Sequence, residues 1–241
     1  MVQAVAGAGK TTFLLNQLNL ENNVALITYT KNNQEQLKEN IIKKFGYYPN
    51  NIHVFGLFEF LYNFCYRPLQ NKYPITGICF DHPSPYLKGF HHKDGRIYSN
   101  QISRLLLAEK INYLTRIERF FDYFYIDEVQ DIAADDFDWL MSLKDLKIPV
   151  TLVGDFYQST FVSSRRGNKG KAIYSSIENY KNQFDQNGFH FEESKLIASH
   201  RCSKSVSHFI QENLNIRMES HRDDVTNIEL LTDIERIEGV L

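Results

Sequence analysis

The fold is indicated by a short stretch of the chain, Ala4-Val5-Ala6-Gly7-Ala8-Gly9-Lys10-Thr11-Thr12. Glycine has no Cβ, so Gly7 and Gly9 let the backbone turn tightly around phosphate oxygens. The Lys10 ammonium can reach the β- and γ-phosphates of a nucleotide, and the Thr11 hydroxyl can bind Mg²⁺. The stretch is typical of a P-loop whose first glycine is replaced by Ala4, the alternative being a glycine-rich turn with an unrelated lysine. The predicted nucleotide-binding residues are Ala6, Gly7, Ala8, Gly9, Lys10, Thr11 and Thr12.

The composition bounds the class of protein. The 241 residues suffice for one large domain or two small ones, and 43% are hydrophobic, enough for a sizeable core. A net charge of −2 argues against nucleic-acid binding through overall charge but leaves room for a local basic groove. Three widely spaced cysteines fit a reducing compartment without a disulfide framework, so we expect a cytoplasmic protein. The sequence contains no apolar run of about 18 residues, so it predicts no membrane span.

Predicted strands and helices alternate along the chain. The strand at 24–30 is a near-continuous apolar run, which is typical of a buried parallel strand. The helix at 31–45 is expected to turn Leu37, Ile41 and Ile42 inward. This order predicts an α/β fold with a parallel sheet and ligands at the carboxyl ends of its strands. The other predicted strands are 2–5, 52–55, 123–126, 150–153, 196–198 and 228–231, and the other predicted helices are 11–18, 57–66, 100–116 and 203–213.

Two polar motifs follow predicted strands. The first is Tyr125-Ile126-Asp127-Glu128-Val129-Gln130-Asp131, in which Asp127 can hold Mg²⁺ and Glu128 can orient and deprotonate an attacking water. The second is Leu152-Val153-Gly154-Asp155-Phe156-Tyr157-Gln158-Ser159, in which the Gln158 amide can bond to the γ-phosphate or the water and respond to its loss. The alternatives are an ordinary acidic loop and an ordinary strand-to-loop turn.

Together these motifs resemble those of UvrD/Rep-type superfamily 1 DNA helicases. The resemblance rests on Ala4–Thr12, Thr28–Asn32, Asp127–Asp131, Gly154–Ser159 and Leu196–Ser203, which stand in the family's order along nearly the whole chain. The segment Phe55–Pro68 resembles UvrD-like helicases of bacterial defence gene sets more than housekeeping repair enzymes. The resemblance implies a RecA-like P-loop NTPase fold in which ATP lies between two lobes and single-stranded DNA crosses them.

The resemblance also implies roles for particular residues. Arg201 would reach the γ-phosphate from the second lobe, and a guanidinium suits the charge of a phosphoryl group; the alternative is a surface salt bridge. His200 stands where the family has a tyrosine that stacks on adenine. The residues that would contact DNA are Thr28, Tyr29, Thr30 and Asn32, by phosphate contacts and by stacking of Tyr29. The alternative for Tyr29 is burial in the sheet.

The chain also departs from the family. Phe156 replaces the usual proline, and the stretch from Phe161 to Gly167 replaces an aromatic-rich Trp-Arg-Gly segment. A basic loop with Arg165, Arg166, Lys169 and Lys171 either touches the DNA backbone or is solvated. The sequence begins too near the P-loop for the family's adenine-reading glutamine, and it ends before the remaining second-lobe motifs. We therefore expect the front part of a motor, either truncated or completed by a partner.

The implied domain organisation has three parts. Residues 1–67 and 116–190 would form motor lobe 1A. Residues 68–115, which are broken up by prolines and glycines, would form an inserted helical lobe. Residues 191–241 would form the incomplete start of a second RecA-like lobe 2A. The function implied is an ATP-dependent DNA helicase or translocase that moves 3′ to 5′ on single-stranded DNA with Mg²⁺-ATP. The alternatives are a nucleotide- and DNA-binding sensor, and an ATPase that gates a partner nuclease without unwinding.

Overall fold

The computed structural model describes residues 1–70, 75–81, 94–159, 163–164 and 169–228. These residues divide into two compact units. The first contains Met1–Ala4 and Lys10–Lys195, and the second contains Val5–Gly9 and the chain from Leu196 onward. No helix in the described ranges is long and apolar enough to cross a membrane.

The first unit is built on a six-stranded sheet. The strands among the described residues are β1 (Val2–Ala4), β2 (Val24–Thr28), β3 (Ile52–Gly56), β4 (Gly77–Cys79), β5 (Arg96–Tyr98), β6 (Tyr123–Ile126), β7 (Val150–Gly154), β8 (Glu192–Leu196), β9 (Ala198–Ser199) and β10 (Glu219–Ser220). The main sheet has the order β3-β2-β6-β7-β1-β8, and the pairs from β3 through β1 are parallel. The predicted α/β class with a parallel sheet is therefore confirmed.

Helices cover this sheet. They are α1 (Lys10–Gln17), α2 (Lys31–Phe45), α3 (Leu57–Glu59), α4 (Ile102–Ala108), α5 (Tyr113–Phe120), α6 (Ala134–Ser142) and α7 (Ile177–Gln186), with α8 (Lys204–Leu214) in the second unit. The α2 helix begins where the Thr30 side chain accepts a bond from the Asn33 N–H, and it ends at Gly46 in the left-handed conformation. Leu37 and Ile41, one turn apart, are buried, but Ile42 is 44% exposed. The prediction for Ile42 was wrong because it lies about 100° around the helix from Ile41.

The predicted helix at 57–66 differs from a regular α-helix. After α3 the chain continues as a π-helix over Phe60–Tyr66, and the Arg67 N–H bonds back to the Tyr62 carbonyl. Large side chains on nearly every side of this segment are buried, so packing rather than the regular hydrogen-bond ladder sets its shape. The Phe60 ring stacks on Phe64 with ring centroids 4.9 Å apart and also contacts Trp139.

The predicted helix at 100–116 is two helices, α4 and α5. Lys110 between them has φ 52°, and the Lys110 and Ile111 N–H groups bond back to the Leu107 and Leu106 carbonyls. This left-handed end satisfies the last carbonyls of α4 and stops it. The Ser103 hydroxyl on α4 donates to Asp136 Oδ1 on α6 at 2.6 Å. The described part of the expected inserted lobe thus shares one hydrophobic core with the main sheet.

The second unit is smaller. β9 pairs with β10 in parallel, and Ser203 caps the start of α8 by accepting a bond from the Val206 N–H. The Val5 N–H donates to the Leu196 carbonyl at 2.9 Å. Of the predicted strand at 228–231, only Ile228 lies within the described residues, and it is not in a strand. Leu214 and Val225 are exposed.

Candidate nucleotide and nucleic-acid site

Two carboxylates follow β6 in the first unit. Asp127 is 5% exposed, and its Oδ1 accepts the Glu128 N–H at 2.9 Å. The pKa of the Asp127 carboxyl is raised to about 7, chiefly by burial and also by the Glu128 carboxylate, while the Lys10 ammonium opposes the rise. Glu128 itself has φ 55°, a conformation that costs free energy for any residue except glycine.

Lys10 is the basic partner of this acidic turn. Its Nζ lies 3.4 Å from Glu128 Oε2, and both side chains are largely buried. Asp155, which follows β7, is also buried, and burial raises its pKa to about 6 against the opposing effect of Lys10. The structure therefore brings Lys10, Asp127 and Glu128 together and adds a third acid, Asp155, near the same ammonium group.

Replacing Asp127 by asparagine is expected to stabilise the protein. Between pH 4 and 7 the folded Asp127 binds more protons than the unfolded chain, because its pKa is raised, so its contribution to stability falls as pH rises through that window. At pH 8 the folded protein must keep a buried charge that Asp127→Asn removes. We expect the free energy of unfolding in urea, without divalent cations, to increase by on the order of 2–4 kcal/mol at pH 8 and by less at pH 5.

The matched control for this prediction is Asp145→Asn. Asp145 is exposed, so its replacement is expected to leave the free energy of unfolding nearly unchanged at both pH values. Equal or lower stability of the Asp127→Asn protein at pH 8 would contradict the assigned cost of the buried carboxylate.

Gln130 and Gln3 are polar residues of this region to which the sequence analysis gave no role. The Gln130 amide donates from Nε2 to Glu128 Oε2 at 2.8 Å, and its Oε1 accepts the Asp155 N–H at 2.9 Å. Gln3 on β1 accepts the Phe156 N–H through its Oε1 at 3.2 Å. A signal for Gln3 was present, since it is the one polar residue in the apolar run of β1.

Gln158 lies in a single 3₁₀ turn, Phe156–Gln158, directly after β7. Asp155 caps this turn, because its Oδ1 accepts the Tyr157 N–H at 3.1 Å. Gln158 is half-buried. The structure thus attaches Gln158 to the same carboxyl end of the sheet as Asp127 and Asp155 through a turn that Asp155 fixes.

The second unit holds the glycine-rich part of the predicted loop. Gly7 and Gly9 have φ of 72° and 83°, which favours glycine. A Cβ on Gly7 would lie 2.7 Å from Arg201 Cβ and 2.8 Å from Ser199 Oγ. The Ser199 hydroxyl donates to the Ala6 carbonyl at 2.7 Å. Gly7 is therefore packed closely against Ser199 and Arg201, and a side chain at this position would collide with them.

His200 and Arg201 follow in the same unit. Both are exposed, and the His200 N–H donates to the Gly7 carbonyl at 2.9 Å. The His200 ring stacks on His221, with centroids 4.0 Å apart and planes 14° apart. One face of the imidazole predicted to stack on adenine is therefore covered by a second imidazole.

The residues predicted to contact nucleic acid differ in their exposure to solvent. Thr28 is 1% exposed at the end of β2, so its side chain is covered in this structure, and its contact with DNA stays a prediction. Thr30 accepts the Asn33 N–H at 3.1 Å as the cap of α2, and Asn32 is exposed. Tyr29 is half-buried, with its ring edge-on to Phe58 at a centroid distance of 6.0 Å.

A cavity of about 370 Å³ adjoins Tyr29 in the first unit. Its aromatic wall consists of Tyr29, Phe58 and Phe80, and the Phe58 and Phe80 rings are 5.8 Å apart. Lys31 and Lys38 from α2 also line it. The cavity is an aromatic recess with cationic side chains at its wall, although Glu35 and Glu59 line it too.

The basic loop is only partly described. Lys169 Nζ lies 2.6 Å from Asp135 Oδ1 and also pairs with Asp138, so this ammonium is neutralised within the protein. Lys171 is exposed, and Arg165 and Arg166 lie outside the described residues. The prediction that this loop touches a DNA backbone therefore gains no support from Lys169.

A divalent cation fits the acidic turn. No three His, Cys, Asp or Glu side chains converge on one point in the part of the chain that the structure describes. Mg²⁺ does not need such a cluster, because it is commonly held by one or two carboxylates together with water and substrate phosphates. Asp127, a buried carboxylate with a raised pKa, suits a cation, since a nearby positive charge would offset the cost of its burial.

Comparisons with known proteins give structural neighbours only. No protein-family model and no curated protein sequence matches the chain. Among solved structures, PRRSV helicase is similar with a TM-score of 0.43 and 16% identity over 96% of this chain and 37% of its own. Pif1 from Bacteroides sp. in complex with ADP-AlF4 is similar with a TM-score of 0.40 and 16% identity over 88% of this chain and 41% of its own. The chain thus spans about two-fifths of each of these structures.

Proposed function

We propose that the protein is a DNA-dependent ATPase whose hydrolysis of ATP drives movement on single-stranded DNA. The observation that carries the proposal is the close approach of Lys10 to Glu128, beside the buried Asp127 and at the end of a P-loop sequence. A lysine at a helix start and two acids after another strand of the same parallel sheet are the parts that phosphoryl transfer to water requires.

The loop and the start of α1 would hold the phosphates of ATP. Residues 6–9 would offer backbone N–H groups, and the left-handed glycines Gly7 and Gly9 keep that backbone free of side chains. Lys10 would exchange its contact with Glu128 for contacts with the β- and γ-phosphates. This exchange would leave Glu128 available for a water molecule, so binding of the substrate would prepare the base.

Glu128 would act as the general base, accepting a proton from the water that attacks the γ-phosphorus. Thr11 and Asp127 would hold Mg²⁺, which supplies Lewis-acid stabilisation of the phosphate charge when it is bound. Arg201 would contact the γ-phosphate and His200 the adenine, and Gln158 would link the nucleotide state to bound DNA. These roles come from the resemblance to UvrD/Rep-type helicases. The backbone contact between His200 and Gly7 supports only a place for His200 beside the glycine-rich loop.

We propose that the aromatic recess beside Tyr29 receives a base of the DNA strand. Stacking of a base on aromatic rings tolerates any sequence, as a translocating motor requires. Lys31, at the start of α2, and the exposed Asn32 would contact the adjacent phosphates. Thr30 would contribute indirectly by capping the helix that carries them.

Replacing Phe80 by alanine should weaken binding of single-stranded DNA. The Phe80 side chain is 68% exposed, so its removal should cost little stability. Loss of one stacking surface is expected to cost about 1–2 kcal/mol, a decrease in affinity of about 5- to 30-fold. Fluorescence anisotropy with a labelled oligothymidylate would measure this change.

The control for the stacking prediction is Tyr47→Ala, which removes an exposed aromatic ring at the other end of α2. Its affinity for the oligonucleotide should equal that of the wild type. Equal affinities of the Phe80→Ala and wild-type proteins would contradict the assignment of the recess.

The direction of movement along single-stranded DNA can be tested by a translocation assay. From the resemblance we propose 3′-to-5′ translocation by a lobe 1A of residues 1–67 and 116–190, with residues 68–115 inserted and a second lobe starting near residue 191. ATP-driven displacement of streptavidin from a 5′-biotinylated but not a 3′-biotinylated single strand would support this direction. Displacement from the 3′ end alone would reverse it, and hydrolysis without displacement would favour an ATPase that gates a partner.

A further inference from the structure

The Gln130 side chain is buried beside the proposed base, Glu128. The residue lies in the 3₁₀ turn Val129–Asp131 and is 3% exposed. Its Nε2 donates to Glu128 Oε2 at 2.8 Å, and its Oε1 accepts the Asp155 N–H at 2.9 Å. One buried amide therefore joins the proposed base to the end of β7, with its donor on one side and its acceptor on the other.

The local backbone is adapted to this amide. A Cβ on Gly154 would lie 2.6 Å from Gln130 Oε1, so only glycine at this position lets the amide approach the strand. The Ser159 hydroxyl also donates to the Gln130 main-chain carbonyl at 3.2 Å. Gln130 is thus bonded at Asp155 and at Ser159, immediately before and after the turn that carries Gln158.

The contacts also orient the carboxylate. The Lys10 ammonium and the Gln130 amide both lie on Glu128 Oε2, at 3.4 and 2.8 Å. Lys10 would turn to phosphate when ATP binds, whereas Gln130 can keep its bond. With Oε2 held, the other carboxylate oxygen, Oε1, is the atom presented to a water molecule.

We propose that Gln130 is a positioning residue, which fixes the Glu128 carboxylate for water activation and ties its placement to the turn that carries Gln158. The inference rests on the proposed ATPase function and deepens it. Because Gln158 lies between two contacts of Gln130, a shift of that turn on DNA binding would be transmitted to Glu128 through one side chain. Stimulation of hydrolysis by DNA would therefore depend on Gln130.

Two substitutions of Gln130 remove its side-chain contacts with Glu128 and with the Asp155 N–H to different extents. In Gln130→Glu a carboxylate oxygen can still accept the Asp155 N–H, but the donor to Glu128 is replaced by a like charge. In the neutral Gln130→Met both contacts are lost. We expect both variants to keep the KM for ATP within about threefold of wild type and to lose about 10- to 100-fold in DNA-stimulated kcat, since misplacement of a reacting group costs that much.

A third variant tests the hydrogen bond without any turnover. In the double variant Glu128→Gln with Gln130→Glu, donor and acceptor exchange places, so the amide introduced at position 128 can donate to the carboxylate introduced at position 130. We expect its melting temperature to exceed that of Gln130→Glu, while hydrolysis remains lost because the base is absent. The control is Gln186→Glu, the same chemical change at an exposed position of α7, with wild-type kcat, KM and melting temperature expected.

The possible outcomes distinguish a failure of the role proposed for Gln130 from a failure of the proposed ATPase function. Wild-type kcat and DNA stimulation in both Gln130 variants, with hydrolysis lost in Glu128→Gln, would overturn the role of Gln130 and leave the ATPase assignment intact. A double variant no more stable than Gln130→Glu would show that the hydrogen bond does not form and would also overturn the role. No hydrolysis by the wild type with DNA would overturn the proposed function itself, while the melting temperatures would still report on the bond.

Discussion

Replacing Glu128 by glutamine is expected to lower the kcat for ATP hydrolysis by about 10²- to 10⁴-fold, the range in which general bases contribute. The amide cannot accept the proton of the attacking water. Glutamine has nearly the same size as glutamate and keeps an oxygen near Lys10, so the fold and nucleotide affinity should change little. Steady-state phosphate release and binding of a fluorescent ATP analogue would measure both quantities.

The control for this replacement is Glu39→Gln, at an exposed position of α2. It should leave both kcat and affinity at wild-type values. Retention of more than a tenth of the wild-type kcat in Glu128→Gln would mean that another group takes the proton, and Asp155 would be the first candidate because it is buried near the same lysine.

Replacing Lys10 by alanine is expected to abolish hydrolysis by a different route. The variant loses the ammonium proposed to hold the β- and γ-phosphates, and losses of about 10²- to 10³-fold in kcat are usual when a group that stabilises developing charge is removed. It also leaves the carboxylates of Asp127, Glu128 and Asp155 without the ammonium that opposes their mutual repulsion. Affinity for ATP should therefore fall as well, unlike in Glu128→Gln.

The matched control is Lys43→Ala, which removes an exposed lysine from the last turn of α2. Isothermal calorimetry with a non-hydrolysable ATP analogue separates the two variants. Unchanged affinity in Lys10→Ala would show that this ammonium does not contact the phosphates, whatever happens to kcat.

The central strands could be predicted from the sequence because their apolar runs leave few alternatives. All of β2 is buried, and β6 was predicted with its observed limits. The limits of α2 were also predicted. The Thr30 side chain caps its first turn, and Gly46 ends it in the left-handed conformation. Where local chemistry decides the structure, the sequence was sufficient.

Other features depend on packing that periodicity does not reveal. The π-helix Phe60–Tyr66 forms where large buried side chains crowd one segment, and the break between α4 and α5 needs Lys110 in a conformation that residue type alone rarely predicts. Thr28 was predicted to contact DNA from its motif, but its position in the strand decides its burial.

In the candidate site, too, some residues could be predicted from the sequence and others could not. The motif residues Lys10, Asp127 and Glu128 were predicted, since residue type and spacing carry their chemistry. No role was predicted for Gln130, because the Asp155 backbone that its side chain contacts becomes a neighbour only when β6 and β7 pair.

The most direct test of the account is steady-state ATP hydrolysis by the wild-type protein and by Lys10→Ala, each with and without a single-stranded oligonucleotide. The account predicts that the oligonucleotide stimulates hydrolysis by the wild type and that both basal and stimulated rates are lost in Lys10→Ala. ATP binding without phosphate release by the wild type, with the oligonucleotide present, would contradict the account and leave a nucleotide-binding module in its place.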